Sequence, residues 1–169
     1  SGASASATLT VMLPLPSLGV LKMVAVVSDP VNGTVNPKSI PGALSAYSIR
    51  VTNSGAGTVD NNSLVVSDPL PTNVELFVGD FDGAGLGPVT FINSSPDSGL
   101  SWVFTALAST TDSIDFSNDN GGSWTYVPVP DANGFDSAVT NIRLKPQGVM
   151  NAAGATNPYA EFVFRVRIK

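Results

Sequence analysis

"LSAYSIRVTNSGAG", residues 44–57, alternates between apolar and polar side chains and then breaks. Tyr47, Ile49 and Val51 fall on one face, and Ser48, Arg50 and Thr52 on the other. A period of two is the mark of a strand with one dry face and one wet face. Asn53, Gly55 and Gly57 then supply turn chemistry. A strand covered on one side belongs to an antiparallel sheet, and that expectation organises the rest of the chain.

Working outward, strand-like runs recur between turn signals and no stretch has a helical period. "VLKMVAVVS", 20–28, precedes the quoted segment and stops at Asp29-Pro30 and Asn32-Gly33. After it come "SLVVSDPLP", "VELFVGD", "VTFI", "LSWVFTAL", "SIDFS", "SWTYVPV" and "AVTNIRLKP". The last run, "YAEFVFRVRIK", sets Phe162, Phe164, Val166 and Ile168 against Val163, Arg165, Arg167 and Lys169. Some ten short strands with Gly, Pro and Asn punctuation predict an all-β chain, an immunoglobulin-like β-sandwich, with a jelly roll as the alternative. The loops 80–88 and 147–158 read as excursions within one domain.

Composition narrows the function. Charged residues are 12% of 169, about half the usual share, so surface polarity must come from Ser, Thr, Asn and Gly. Net charge is −5, and Arg165, Arg167 and Lys169 form the one basic group, a solvated face or a contact for a neighbouring acidic surface. No nucleic-acid footprint is expected. The chain lacks both Cys and His, which removes thiol chemistry, disulfides and the commonest general base and metal ligand. Its two glutamates, Glu75 and Glu161, both fall in strands. An enzyme is not expected, nor a cofactor. The apolar-rich run 11–27 is interrupted by Pro14, Pro16, Gly19 and Lys22 and is too short to span a membrane as a helix.

A second alternating stretch lies at the start. "ASATLTVMLPLP", 5–16, continues a pattern in which Ala3, Ala5, Ala7, Leu9, Val11, Leu13 and Leu15 are apolar, while Ser4, Ser6, Thr8 and Thr10 carry hydroxyls. At about 3.3 Å per residue, thirteen such residues span roughly 43 Å, twice a usual strand. Pro14, Pro16 and Gly19 then read as a stiff linker. The expected division is 1–19, donor strand and linker, and 20–169, sandwich. The odd-numbered residues from Ala3 to Leu15 are expected to enter the sheet of another copy by β-strand addition, giving a homopolymer. The expected acceptor is an edge beside Phe162, Phe164, Val166 and Ile168. The small-residue start "SGASASA" resembles the flank of a signal-peptidase site, so an exported, cell-surface protein is expected.

Lys22, Pro41-Gly42, Tyr47, the "VTNSG" run 51–55, and Asp68-Pro69 with Pro71 together resemble the DUF11-type conserved repeat domain of bacterial and archaeal surface proteins, over Leu21–Pro71. The resemblance implies an Ig-like sandwich in an exported protein and implies no reaction. "SNDNGGSW", 117–124, is similar to the Asp-box of sialidase propellers. A single copy in so short a chain favours a structural role, with Asp119 bonding its own turn. Asp80 and Asp82, beside Gly79 and Gly83, are the first candidates for calcium, against the simpler reading that they cap their own loop. Trp102, Trp124, Tyr126 and Phe135 offer either a sugar-binding platform or core anchors. The function expected is therefore a structural filament subunit joined by donor strands. A monomeric secreted adhesin or carbohydrate-binding module is the alternative.

Overall fold

Eleven β-strands and no helix make up residues 13–169, the part of the chain that the computed structural model describes. The larger sheet holds β1 (Leu18–Ser28), β2 (Leu44–Asn53), β11 (Tyr159–Ile168), β4 (Val74–Phe77) and β8 (Phe135–Asp136), in that spatial order. β5 (Val89–Asn93) also pairs with β11. A second sheet has the order β3 (Val66–Pro69), β9 (Asn141–Leu144), β7 (Ile114–Ser117). β6 (Leu100–Ser101) and β10 (Gln147–Gly148) form a short pair of their own. Every pairing is antiparallel.

The alternation of β2 decides how these layers stack. Ile49 and Val51 point inward and are buried, and the register carries the same face across to Phe162 and Ala160 of β11. Phe162, Phe164 and Val166 continue it and are wholly buried. Ile114, Phe116, Ile142 and Leu144 of the smaller sheet close the other side, so the two sheets share one hydrophobic core. The chain is an all-β sandwich, as its alternation predicts.

Three expectations change. The C-terminal strand is not beside an open edge. β11 is paired with β2 along one side over Tyr159–Arg167, and along the other with β5 over Ala160–Phe164 and β4 over Val166–Ile168. Arg165, Arg167 and Lys169 look like a solvated face in sequence, but Arg165 lies over the Phe81 ring. In the fold Arg50 holds Glu161, and Glu75 and Asp131 hold Arg167. Phe162, Phe164 and Val166 are core, with no ladder positions left for an incoming strand, and Ile168 packs partly buried beside them.

The sandwich also begins earlier than residue 20. Gly19 lies within β1, and Leu15 and Ser17 bond to the body of the domain, so the linker is docked rather than free-standing. Finally, "SWTYVPV" joins no ladder. Asp136 draws this segment away by accepting the Tyr126 hydroxyl at 2.8 Å and the Val129 amide at 2.7 Å. Pro128 and Pro130 could not donate to a ladder in any case.

Turns are held by carboxylates. Asp29 accepts the amides of Asn32, Lys38 and Val31, which holds its carboxyl at about 2. Asp119 is also held at about 2, by the Ser117 hydroxyl and the Ser123 amide, closing the Asp-box turn on itself. Asp131 reaches about 2 through the Phe135 amide and then Arg167. Free aspartate titrates near about 3.9. The folded state therefore binds these protons less readily than the unfolded state, and stability falls as pH drops. Tm is expected to hold from pH 7 to about 5 and to decline between about 4 and 2, with Asp119→Asn flattening part of that decline in a calorimetric series.

Candidate functional site

β1 has the wrong surface for the flank of a finished sandwich. Among the described residues it pairs on one side only, with β2, from Leu18↔Asn53 to Ser28↔Leu44. The N–H and C=O groups of its other side form no ladder. Both faces are apolar and open. On the core-facing side, opposite Val51 and Tyr47, Val20 is 63% exposed and Val24 57%. On the outer side Leu21 is 52% exposed and Met23 44%. A strand rich in apolar residues on both faces is the pattern of a central strand, yet here it lies on the rim.

One residue bridges the gap between the sheets at this rim. Lys22 lies between Val20 and Val24 on the core-facing side, opposite Ile49. Its ammonium reaches Asp68 of β3 at 2.6 and 2.8 Å and lies 4.5 Å from the centre of the Tyr47 ring. Tyr47 stacks in turn on Phe164. This ties the rim to the smaller sheet, while Val20 and Val24 on either side stay exposed. An inward-pointing charge on an edge strand also discourages indiscriminate pairing.

The chain reaches this rim through an anchored segment. Leu15 and Ser17 lie along the loop that follows β2. The Gly57 amide donates to the Leu15 carbonyl at 3.0 Å, and the Ser54 amide to that of Ser17 at 2.8 Å. Asn53, wholly buried, organises the contact. Its Oδ1 accepts the amides of Ser17 and Gly55, and its Nδ2 donates to the carbonyls of Gly57 and Asn151. The glycines are required by the closeness of this approach. A Cβ at Gly57 would lie 2.2 Å from the Pro14 carbonyl oxygen, and one at Gly55 would lie 2.3 Å from the Ser17 nitrogen. The "VTNSG" run thus serves as a bed for the incoming chain as well as a turn. In sequence Asn53 reads as turn punctuation, and its burial reveals the larger role.

The remaining candidates distribute as follows. Ala3, Ala5, Ala7, Leu9 and Val11 lie outside the described residues. Leu13 and Leu15 are 78% and 76% exposed, so the domain body does not bury the end of the alternating stretch. Asp80 accepts the amides of Gly85 at 2.8 Å and Gly87 at 2.9 Å, which lowers its pKa and spends both carboxylate oxygens on its own loop. Asp82 is exposed nearby, and among the described residues no three acidic, His or Cys side chains are grouped to hold a metal.

The aromatic candidates do not form a common platform. Trp102 packs on Phe162 and Phe91, with centroids 5.4 and 6.2 Å away. Arg143 covers Trp124, Asp136 takes the Tyr126 hydroxyl, and Phe135 lies between Phe77 and Arg167. Comparison with protein-family models, curated proteins and solved structures found no match for the chain.

Proposed function

We propose that the protein is a structural subunit of an extracellular filament, pilus-like or matrix-like, in which the N-terminal strand of one copy completes the sheet of another. The observation that carries this reading is β1, a rim strand of eleven residues with one ladder side free among the described residues and exposed apolar side chains on both faces. Such an edge recruits strands unless it is covered. Strand addition covers its backbone and its side chains together.

The same chain carries a suitable sequence for such a strand. Its alternating leader ends in Leu13 and Leu15, which the domain body leaves exposed. Burying Leu9, Val11, Leu13 and Leu15 would contribute about 6–10 kcal/mol before the cost of ordering the strand. A donor on one end and an acceptor elsewhere make a head-to-tail contact, which can extend without closing. The hydroxyl-rich, charge-poor composition and the DUF11-like segment over Leu21–Pro71 support placing such a fibre at the cell surface.

The test keeps the full chain and changes only the leader. In Leu9→Asp/Val11→Asp two carboxylates would have to enter an apolar groove, at a cost of several kcal/mol. The unsubstituted protein is expected to show fibres by negative stain and high-mass species by size exclusion. The variant is expected to elute as a folded monomer. A natural chain that stays monomeric at every concentration, or a variant that polymerises equally well, overturns the proposal.

A further inference from the structure

We infer that the acceptor for the N-terminal strand is the free ladder side of β1 in a second copy of the chain, the strand's odd-numbered side chains lying over Val20 and Val24 on the core-facing side of the rim. This rests on the filament reading above and adds the address of the joint. Two observations point to it. Among the described residues β1 is an edge strand of the larger sheet with a full-length open side, whereas β11, the strand first expected to border the acceptor, is occupied on both sides. The chemistry agrees as well. Residues 1–13 carry no charged side chain, and one set of their alternating positions is apolar, as Val20 and Val24 are.

The occupant is a second copy rather than the chain's own leader, for a geometric reason. Residues 15–17 are pinned along Ser54–Gly57, continuing the course of β1 past the end of the sheet. A leader that turned back through a two-residue turn at Met12–Leu13 would meet Pro14 and Pro16 first. Those residues have no N–H to offer a ladder. It would spend Val11 and Leu9 beside the two prolines. Only Ala7, Ala5 and Ala3 would then face Leu18, Val20 and Lys22. In that register the large side chains miss the exposed valines, whereas a strand arriving from a second copy can set them there.

The absence of cysteine in the chain makes the joint easy to probe. Met23→Cys, on the exposed outer side of β1, is combined in turn with Ser6→Cys, Thr8→Cys or Thr10→Cys in the full chain and assembled under mild oxidation. A disulfide forms only when the two Cα atoms come within about 4.4–6.8 Å, so the pair that bonds reports the register. At least one pair is expected to give a covalent ladder of dimers, trimers and longer species on a non-reducing gel. A disulfide-closed monomer overturns the inference by placing the leader on its own edge. Fibres without any bonded pair overturn the acceptor while leaving the filament reading intact. Neither fibres nor bonds, with the unsubstituted chain also monomeric, overturns both.

Val24→Lys is the companion variant. Its site is exposed, so its melting curve is expected to match the parent while species above monomer fall at least tenfold. Unchanged growth with Lys at this position counts against the rim as acceptor.

Discussion

Phe162→Ala is expected to lower Tm by about 6–20 °C and to shift Trp102 emission to the red. Phe162 is wholly buried at the middle of β11, paired with Ile49 of β2 on one side and Phe91 of β5 on the other. Its ring lies 5.6 Å from that of Phe91 and 5.4 Å from that of Trp102. Truncation removes the apolar contact and leaves a cavity that both neighbouring strands are too constrained to fill, a loss of about 3–5 kcal/mol. For a domain of this size each kcal/mol moves Tm by about 2–4 °C. The indole, half-buried against that ring, gains water.

The same experiment separates the two possible places for the joint. If β11 bordered an acceptor groove, Phe162→Ala would weaken assembly and leave the monomer's Tm nearly unchanged. Val24→Ala is the converse control. More than half exposed on the rim, Val24 is expected to change monomer stability by no more than about 0.5 kcal/mol. A normal melt for Phe162→Ala would restore the C-terminal strand as a candidate edge.

That contrast also shows what the sequence could and could not convey. The alternation of β2 was readable because one face is buried and the other is wet. "VLKMVAVV" has the composition of a strand buried on both sides, yet it occupies the rim, because pairing depends on which distant strands arrive and local pattern does not record that. The arginine-studded β11 resembles an edge, but Arg50 pairs with Glu161, Glu75 and Asp131 pair with Arg167, and Arg165 lies over the Phe81 ring, which makes a central position tolerable. The Asp-box was legible for another reason. The bonds of Asp119 run to neighbours within four residues, so the determinants of that carboxylate's role lie in the quoted stretch. Asn53 was not legible as an anchor because two of its partners, Ser17 and Asn151, lie 36 and 98 residues away.

Replacing Asn53 with Ala is accordingly expected to cost about 2–4 kcal/mol, or about 4–16 °C in Tm, and to loosen the segment Leu15–Ser17. The side chain makes four bonds of 2.8–3.1 Å in a site closed to water. Alanine leaves the Gly55 amide and the Gly57 and Asn151 carbonyls without that partner, and each unsatisfied buried group costs about 1–3 kcal/mol. The Ser17 amide and the Asn151 carbonyl lie nearer the surface and recover water, which leaves the Gly55 amide and the Gly57 carbonyl as the two penalised groups. Hydrogen exchange checks the location of the damage. The amides of Ser54 and Gly57, which donate to Ser17 and Leu15, are expected to exchange faster in the variant, while those at the middle of β11 slow or quicken only in step with global stability. Asn53→Asp sharpens the test. A carboxylate can still accept from Ser17 and Gly55, but it turns an oxygen toward the two carbonyls, which favours the protonated acid. The folded pKa is then raised above the unfolded value, so the stability of this variant relative to Asn53 improves as pH falls from 7 toward about 4. A pH-independent gap between the two proteins would mean that Nδ2 does not donate as described. Uniform exchange across the domain would mean that Asn53 is ordinary core. An anchor built this way holds Leu15, Ser17 and the first residues of β1 against one loop through Asn53, Gly55 and Gly57.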